Sequence, residues 1–311
     1  MIEMETQLKK RYGLLTAIAM VVGIVIGSGV FFKAPKVLAN TGGSMVKSLL
    51  TVGIVGLIMI ICSYVFSILA TRYEKVNGIV DYSEVALGKK YAYYVGWFLA
   101  TLYYPALTAC LAWVSAQYAC ILFGLPVAGS AHVAIGTFFL VGSYVLNALS
   151  PRLAGKFQVS ATIIKLIPLV LMAVVGTIAG LINGLTIEAL TTADAGLAQT
   201  GGGIMGAIVA FAFAYEGWII ATSINAELKD SKKNLPKALV IGAFIVVLVY
   251  LGYFLGLTGS LSVADIAAAG DDLPRQAFTS LFGNVAGTLV FVIIVISCLG
   301  TTNGLMLGCC R

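Results

Sequence analysis

Residues 23–32 read Gly23-Ile24-Val25-Ile26-Gly27-Ser28-Gly29-Val30-Phe31-Phe32, with three glycines and a serine set inside an apolar run over roughly 12–36. A bilayer-crossing helix avoids such a cluster unless a break or a close approach is useful. Two readings fit the spacing. One is a small-residue packing face. The other is unwinding at Gly27-Ser28-Gly29, which leaves the first N–H groups of the following half-helix unpaired. The positive dipole end of that half-helix then points into the protein, where it suits a carboxylate.

The sixth apolar run decides between them. Phe211-Ala212-Phe213-Ala214-Tyr215-Glu216-Gly217-Trp218 puts an acid and a glycine about halfway through a run over 202–226. Transporters built from inverted repeats carry discontinuous helices at corresponding positions of their two halves, and the breaks meet near the membrane midplane to form the site. The first and sixth runs occupy those positions. Continuous helices through 27–29 and 213–217 would remove the physical basis of this reading. Burying the charge of Glu216 costs about 2.5 kcal/mol or more. Two roles therefore stand for it: proton handling, or a protonated side chain that ties unwound backbone to its neighbours.

The rest of the chain supports a membrane setting. It is 60% hydrophobic and 10% charged, with a mean hydropathy of +1.01, far from the roughly one-quarter charged composition of soluble domains. Eight apolar runs appear, at roughly 12–36, 48–71, 91–123, 131–150, 157–182, 202–226, 237–259 and 280–310. All are too long for transmembrane strands of about ten residues. The expected fold is an all-α polytopic membrane protein forming a single transmembrane domain over 1–311, with a cytoplasmic tail at 1–11. Lys9, Lys10 and Arg11 before an apolar run also resemble a secretory signal with a cut near Val37-Leu38-Ala39. That run exceeds a signal core, and Lys33 and Lys36 lie awkwardly close to the cut.

With the amino terminus in the cytoplasm, the inner side collects Lys9, Lys10, Arg11, Arg72, Lys75, Lys89, Lys90, Arg152, Lys156, Lys229, Lys232, Lys233, Lys237 and Arg311. The outer side holds Lys33, Lys36, Lys47 and Arg275. This positive-inside asymmetry explains the net charge of +6 without a nucleic-acid partner. It predicts a multi-pass protein of the plasma (inner) membrane.

The nineteenth cation, Lys165, lies within the fifth run, three residues before Pro168, which releases backbone carbonyls nearby. By position alone it either snorkels to the cytoplasmic surface or places its ammonium where a coupling cation would sit. The six cysteines fall within or at the ends of the runs without metal-ligand spacing. They are expected as free thiols, with acylation of Cys309-Cys310 as an alternative to a plain helix end. His132 reads as a surface group at the start of the fourth run, Pro105 as a kink in the third, and Pro236 as the opening of the seventh helix. Asn303 either lines the cavity or hydrogen-bonds between helices. The loop over 227–237 reads as a basic stretch facing anionic lipid headgroups, and 261–275 as a short helix. No nucleophile–base pair, metal cluster or phosphate loop occurs, so no enzyme activity, metal or cofactor is expected.

The motifs GSGVFF, KLIP, FAYEGW with NAELKDSKKNLPKAL, and SCLGTTNGLMLG together resemble the amino acid-polyamine-organocation superfamily, in particular its L-type and bacterial serine/threonine exchanger branch. The resemblance covers nearly the whole chain. It implies the leucine-transporter-like inverted-repeat fold, here its first eight helices with helices 1 and 6 discontinuous. The first five-helix repeat would span 12–182, and 202–310 would hold helices 6–8 of an incomplete second repeat. It implies that Ser28 and Gly29 offer N–H groups to a substrate carboxylate, that Gly27 permits the turn, and that Val25 offers a carbonyl to the amino group. Phe213, Ala214 and Glu216 would add carbonyls, with the Phe213 ring as a gate. Lys165 would take the place of a sodium ion as the coupling residue.

The function so implied is sodium-independent alternating-access transport of small or medium neutral L-amino acids, with the first, second, sixth and seventh helices rocking against the rest. The alternatives are a cationic amino acid or polyamine antiporter and a non-transporting amino acid sensor or scaffold. The family's core has ten spans and this chain has eight. Animal L-type chains bond a heavy chain through a cysteine between the third and fourth spans. The segment 124–130 here has none, so no disulfide-linked heavy chain is expected.

Overall fold

The structure, a computed structural model, describes residue 10 and residues 12–73, 78–192 and 202–309. Most of the amino-terminal tail, Lys75, Cys310 and Arg311 lie outside the described residues, and so do the orientation and acylation readings that rest on them. Seven described helices are long and apolar enough to cross a membrane: Met45–Arg72, Lys89–Leu122, Ser130–Leu149, Arg152–Ile182, Gly203–Asn225, Ser231–Leu257 and Asn284–Cys309. A further span comes first, made of Leu14–Val25 and Gly29–Asn40, which meet at a 42° bend. In chain order these are the first to eighth spans.

Prolines mark where the helical ladder changes. In the third span, π-type pairing over Leu99–Tyr103 directly precedes Pro105. In the fifth, the same pairing over Met172–Gly176 follows Pro168. A proline offers no N–H to the preceding turn, and the wider ring of a π turn accommodates the mismatch. Pro236 behaves differently from expectation. The seventh span already begins at Ser231, so Pro236 lies inside its early turns and does not open it. The segment 261–275 forms the short helix Val263–Ala268, capped by Ser262 Oγ accepting from Asp265 N, then a 3-10 turn and the start of helix Leu273–Phe282.

The outer face is apolar, with Leu57, Ile61, Phe138 and Leu248 all more than half exposed. Where lipid is as apolar as the side chains, burial does not select the interior, and small residues and hydrogen bonds do. Gly256 of the seventh span and Gly259 just past its end face the backbone of Met172 and Gly176 of the fifth so closely that any side chain there would collide. Gly56 of the second span likewise lies against Val247 of the seventh. An aromatic cluster fills the centre: Phe211 lies edge-on to Phe254 at 5.2 Å, and Phe31 to Tyr253 at 5.8 Å.

At the start of the first span, Tyr12 forms an isolated backbone bridge with Leu228. Tyr12 N donates to Glu227 O (3.1 Å), and Lys229 N donates to Tyr12 O (2.9 Å). The segment preceding the first span is thereby pinned to the chain just after the sixth.

Candidate functional site

The first span unwinds where its glycines and serine cluster. Leu14–Val25 ends with Ile26 in extended geometry, and the helix resumes at Gly29. The amides at the start of Gly29–Asn40 have no acceptor within their own helix. The carbonyls freed on the other side are met by side chains from two spans. Lys165 Nζ donates to Gly23 O (2.8 Å), Ile26 O (2.5 Å) and Ser297 O (3.0 Å), and lies 3.2 Å from Thr301 Oγ1. Ser297 Oγ donates to Gly27 O (3.1 Å), and Thr301 Oγ1 lies within 3.2 Å of Gly23 O and Ile26 O.

Lys165 is completely buried. Of the two positions open to it, the snorkelling one is excluded. Its ammonium fills the gap between the broken first span and the eighth, surrounded by oxygens as a metal cation would be.

The sixth span breaks over Phe213–Gly217. Helix Gly203–Ala212 tightens into a single 3-10 turn at Phe213–Tyr215, Glu216 is extended, and Gly217 takes φ +104° before a second 3-10 stretch, Trp218–Glu227. That left-handed angle strains any residue with a Cβ. Its hydrogen would be replaced by a group 2.7 Å from Ile24 Cγ2.

The two breaks face each other. A Cβ on Gly29 would come within 3.0 Å of Ala214 Cα. All seven residues expected to contact substrate, Val25, Gly27, Ser28, Gly29, Phe213, Ala214 and Glu216, line one cavity. Leu107 and Leu111 of the third span and Thr301 and Leu305 of the eighth close its sides. Its volume is about 30 Å³, roughly the room of one water. Larger cavities lie elsewhere and touch neither break. The small one is the candidate site, because both helix interruptions converge on it.

Lys165 stands behind this cavity and reaches its wall at Thr301, whose Oγ1 lies 3.2 Å from Nζ. The Phe213 ring sits at the rim, 40% exposed, with Lys33 Nζ 5.9 Å from its centroid. The Glu216 carboxylate accepts a hydrogen bond from the Tyr103 hydroxyl, which ties the sixth span to the third.

Four participants escaped the sequence reading. Tyr250 of the seventh span donates its hydroxyl to Ala214 O (2.8 Å) and lies 3.3 Å from Val25 O, so one side chain bridges both breaks. Nothing marks it among the other tyrosines of an apolar helix. Ser297 and Thr301 lay in the quoted eighth-span motif without a role. Tyr103, two residues before Pro105, carries no mark in the sequence either.

Two other residues are now placed. Asn303 is interhelical: its Nδ2 donates to Gln158 Oε1 (3.1 Å) and Ala154 O (3.2 Å), and its Oδ1 accepts from Asn147 Nδ2 (2.9 Å). His132 is not a surface group. It is 1% exposed, stacks beside Trp113, and its two ring nitrogens face Val127 O and Trp113 O. The lipid-facing third span covers it.

The geometry has its counterpart in known proteins. The amino acid permease family model matches residues 12–311. The chain belongs to the amino acid permease family. It is 32% identical over 302 residues to the serine/threonine exchanger SteT of Bacillus subtilis (strain 168), covering 97% of this chain and 66% of that protein. It is 28% identical to the b(0,+)-type amino acid transporter 1 of Mus musculus, over 96% of this chain and 61% of that one. The chain thus spans a little under two thirds of the curated relatives it matches.

Among solved structures, MhsT in complex with L-phenylalanine superposes with a TM-score of 0.67 at 15% identity, covering 96% of this chain and 73% of that chain. At that identity the likeness speaks for the fold alone. It is the leucine-transporter-like fold, with its first and sixth helices discontinuous. This permease-family chain is a multi-pass membrane protein of a transporter superfamily and not an enzyme.

Proposed function

We propose that the protein carries amino acids by alternating access, taking the substrate between the two helix breaks. The observation that carries this reading is the meeting of the Gly27-Ser28-Gly29 break with the Phe213–Gly217 break around one cavity. One side offers helix-start amides at Ser28 and Gly29 to a carboxylate. The other offers the carbonyls of Val25, Phe213, Ala214 and Glu216 to an ammonium. These contacts address the part common to all amino acids.

At about 30 Å³ the cavity admits an amino acid only when the spans carrying the breaks part from the third and eighth. That is the role we give to rocking of the first, second, sixth and seventh helices. The moving set takes the first two helices of each inverted repeat, at 12–182 and from 202 onward. Lys165 serves as a fixed or protonatable cation in place of sodium, so transport is sodium-independent. The basic end of the bundle, with the start of the first span, faces the cytoplasm. The substrates are small or medium neutral L-amino acids. The serine/threonine exchanger and the b(0,+)-type transporter are both relatives, and the Glu216 carboxylate on the cavity wall supports a second reading, a cationic substrate.

Proteoliposomes test both. Labelled serine, leucine and arginine are offered with and without internal amino acid, and with and without a sodium gradient. Uptake of serine or leucine, stimulated from inside and indifferent to sodium, is expected. Arginine uptake alone would favour the second reading. Binding without flux would make the protein a sensor.

A further inference from the structure

At the end of the bundle where the first span begins, a cavity of about 880 Å³ lies between three segments of chain. Lys10 and Tyr12 line it from before the first span, Arg152, Lys156 and Ser160 from the start of the fifth, and Lys229 from just after the sixth. Among the described residues, those lining it include four cations and no carboxylate. Its size falls within the range of small-ligand sites.

The cations are held there by the fold. Lys229 is fixed by its backbone bond to Tyr12 O (2.9 Å), and the Tyr12 ring lies against Gly155, where a Cβ would sit 2.9 Å from its Cε1. Arg152 and Lys156 stand one helical turn apart on the same face, a like-charged pair that repels unless an anion lies between. The start of the long fifth helix adds its own partial positive charge.

Below the cations, the same face of the fifth span changes character in order. Position 160 is a serine, and the residues that follow at helical spacing, Ile163, Ile167, Val170 and Val174, are 58%, 50%, 46% and 52% exposed. A cationic head, a hydroxyl and an apolar track form one continuous stripe. That order matches the phosphate, ester and acyl chain of a phospholipid. A soluble anion would use only the first part. We propose that this cavity binds the phosphate headgroup of an anionic phospholipid whose acyl chain lies along the Ile163–Val174 face. The lipid joins the start of the first span, the fifth span and the end of the sixth. The inference is independent of which substrate the protein carries.

Native mass spectrometry of the purified full chain tests it, with phosphatidylglycerol and phosphatidylcholine of matched chains. Phosphatidylglycerol is expected to be retained preferentially. The Arg152→Gln/Lys156→Gln variant should weaken its retention tenfold or more, about fivefold per charge removed. Lys229→Gln leaves the fifth span untouched and should weaken it severalfold, so the test stands even if the double variant fails to fold. The charge-matched control Lys232→Gln/Lys233→Gln, outside the cavity, removes only general attraction to headgroups and should weaken retention far less than the cavity variant. Equal retention of the two lipids, equal loss in the control, or inorganic phosphate competing at the same concentration as the lipid would each overturn the proposal. The last outcome would reassign the cavity to a free anion.

Discussion

Replacing Lys165 with alanine separates a structural cation from a working one. The ammonium donates to Gly23 O, Ile26 O and Ser297 O, and hydrogen bonds from a charged donor contribute about 1.5–3 kcal/mol each. Against this stands the cost of keeping an ammonium completely out of water, several kcal/mol even after relaxation. The single Thr301 hydroxyl proton also offers one of these carbonyls a remaining partner, with Gly23 O at 3.2 Å and Ile26 O at 3.1 Å. Opposing terms of similar size leave a net change in stability within about 2 kcal/mol, so the variant should fold. In the proposed mechanism transport is different, since it needs the charge itself as the substrate site opens. Initial rates of amino acid uptake into proteoliposomes between pH 5 and 9 are expected to fall at least tenfold and to lose their pH dependence, while thermal unfolding in detergent shifts by only a few degrees. An unchanged rate with an unchanged pH profile would refute the coupling role. A collapsed fold would refute the partition of energies.

Gly29→Val should abolish uptake while Ser28→Ala leaves it within about twofold of the parent, because the first drives a side chain into Ala214, 3.0 Å from the added Cβ, whereas the second keeps the backbone donor assigned to the substrate; equal effects in a paired uptake assay would contradict the amide-donor geometry. Tyr250→Phe removes one hydroxyl bridging both breaks and should raise KM severalfold at nearly constant kcat, in line with about 0.5–1.5 kcal/mol for one hydrogen bond; a loss confined to kcat would place Tyr250 in the conformational step. Gly217→Ala puts a Cβ at φ +104° and against Ile24, and should lower thermal stability by at least about 1–2 kcal/mol; a neutral result would mean that the sixth-span break relaxes readily.

The spans and the breaks were legible for separate reasons. Long uncharged runs leave little choice but helix in a bilayer, since backbone groups there find partners only within the segment. The breaks showed because glycine is the residue that tolerates both the tight approach at Gly29 and the positive φ at Gly217. What holds the breaks open was not legible. Tyr250, Ser297 and Thr301 differ from other hydroxyls in apolar helices only by the direction they face, which rotation about the helix axis sets and composition does not encode. His132 was misjudged for the same reason. Nearness to a helix end suggested solvent, whereas the neighbouring third span supplies Trp113 to cover it and a carbonyl to bond it. Lys165 stood between two positions because its stem reaches either, and the released carbonyls of the first span decided the matter.

The distribution of partners around the two breaks carries a consequence for mechanism. On the first span, the freed carbonyls of Gly23, Ile26 and Gly27 are bound by side chains of the fifth and eighth spans. The acceptors assigned to the substrate ammonium, Val25 O and Ala214 O, are instead reached by Tyr250 of the seventh span, which the transport model places in the moving set. Each carbonyl has two lone pairs, so Ala214 O, oriented by the Tyr250 hydroxyl, keeps one for an ammonium, whereas Val25 O takes both that hydroxyl and Gly27 N (2.9 Å) and receives an ammonium only when one of these bonds opens. Tyr250 therefore aligns the two breaks before substrate arrives and travels with them. Lys165, Ser297 and Thr301 instead form the bonds that must stretch when the first span moves away from the fifth and eighth. On this division, substitutions at Tyr250 act on affinity and substitutions at Lys165, Ser297 or Thr301 act on the rate of opening; because Tyr250 and Thr301 bond the consecutive carbonyls of Val25 and Ile26, a double variant combining Tyr250→Phe with Thr301→Val should depart from additivity in uptake.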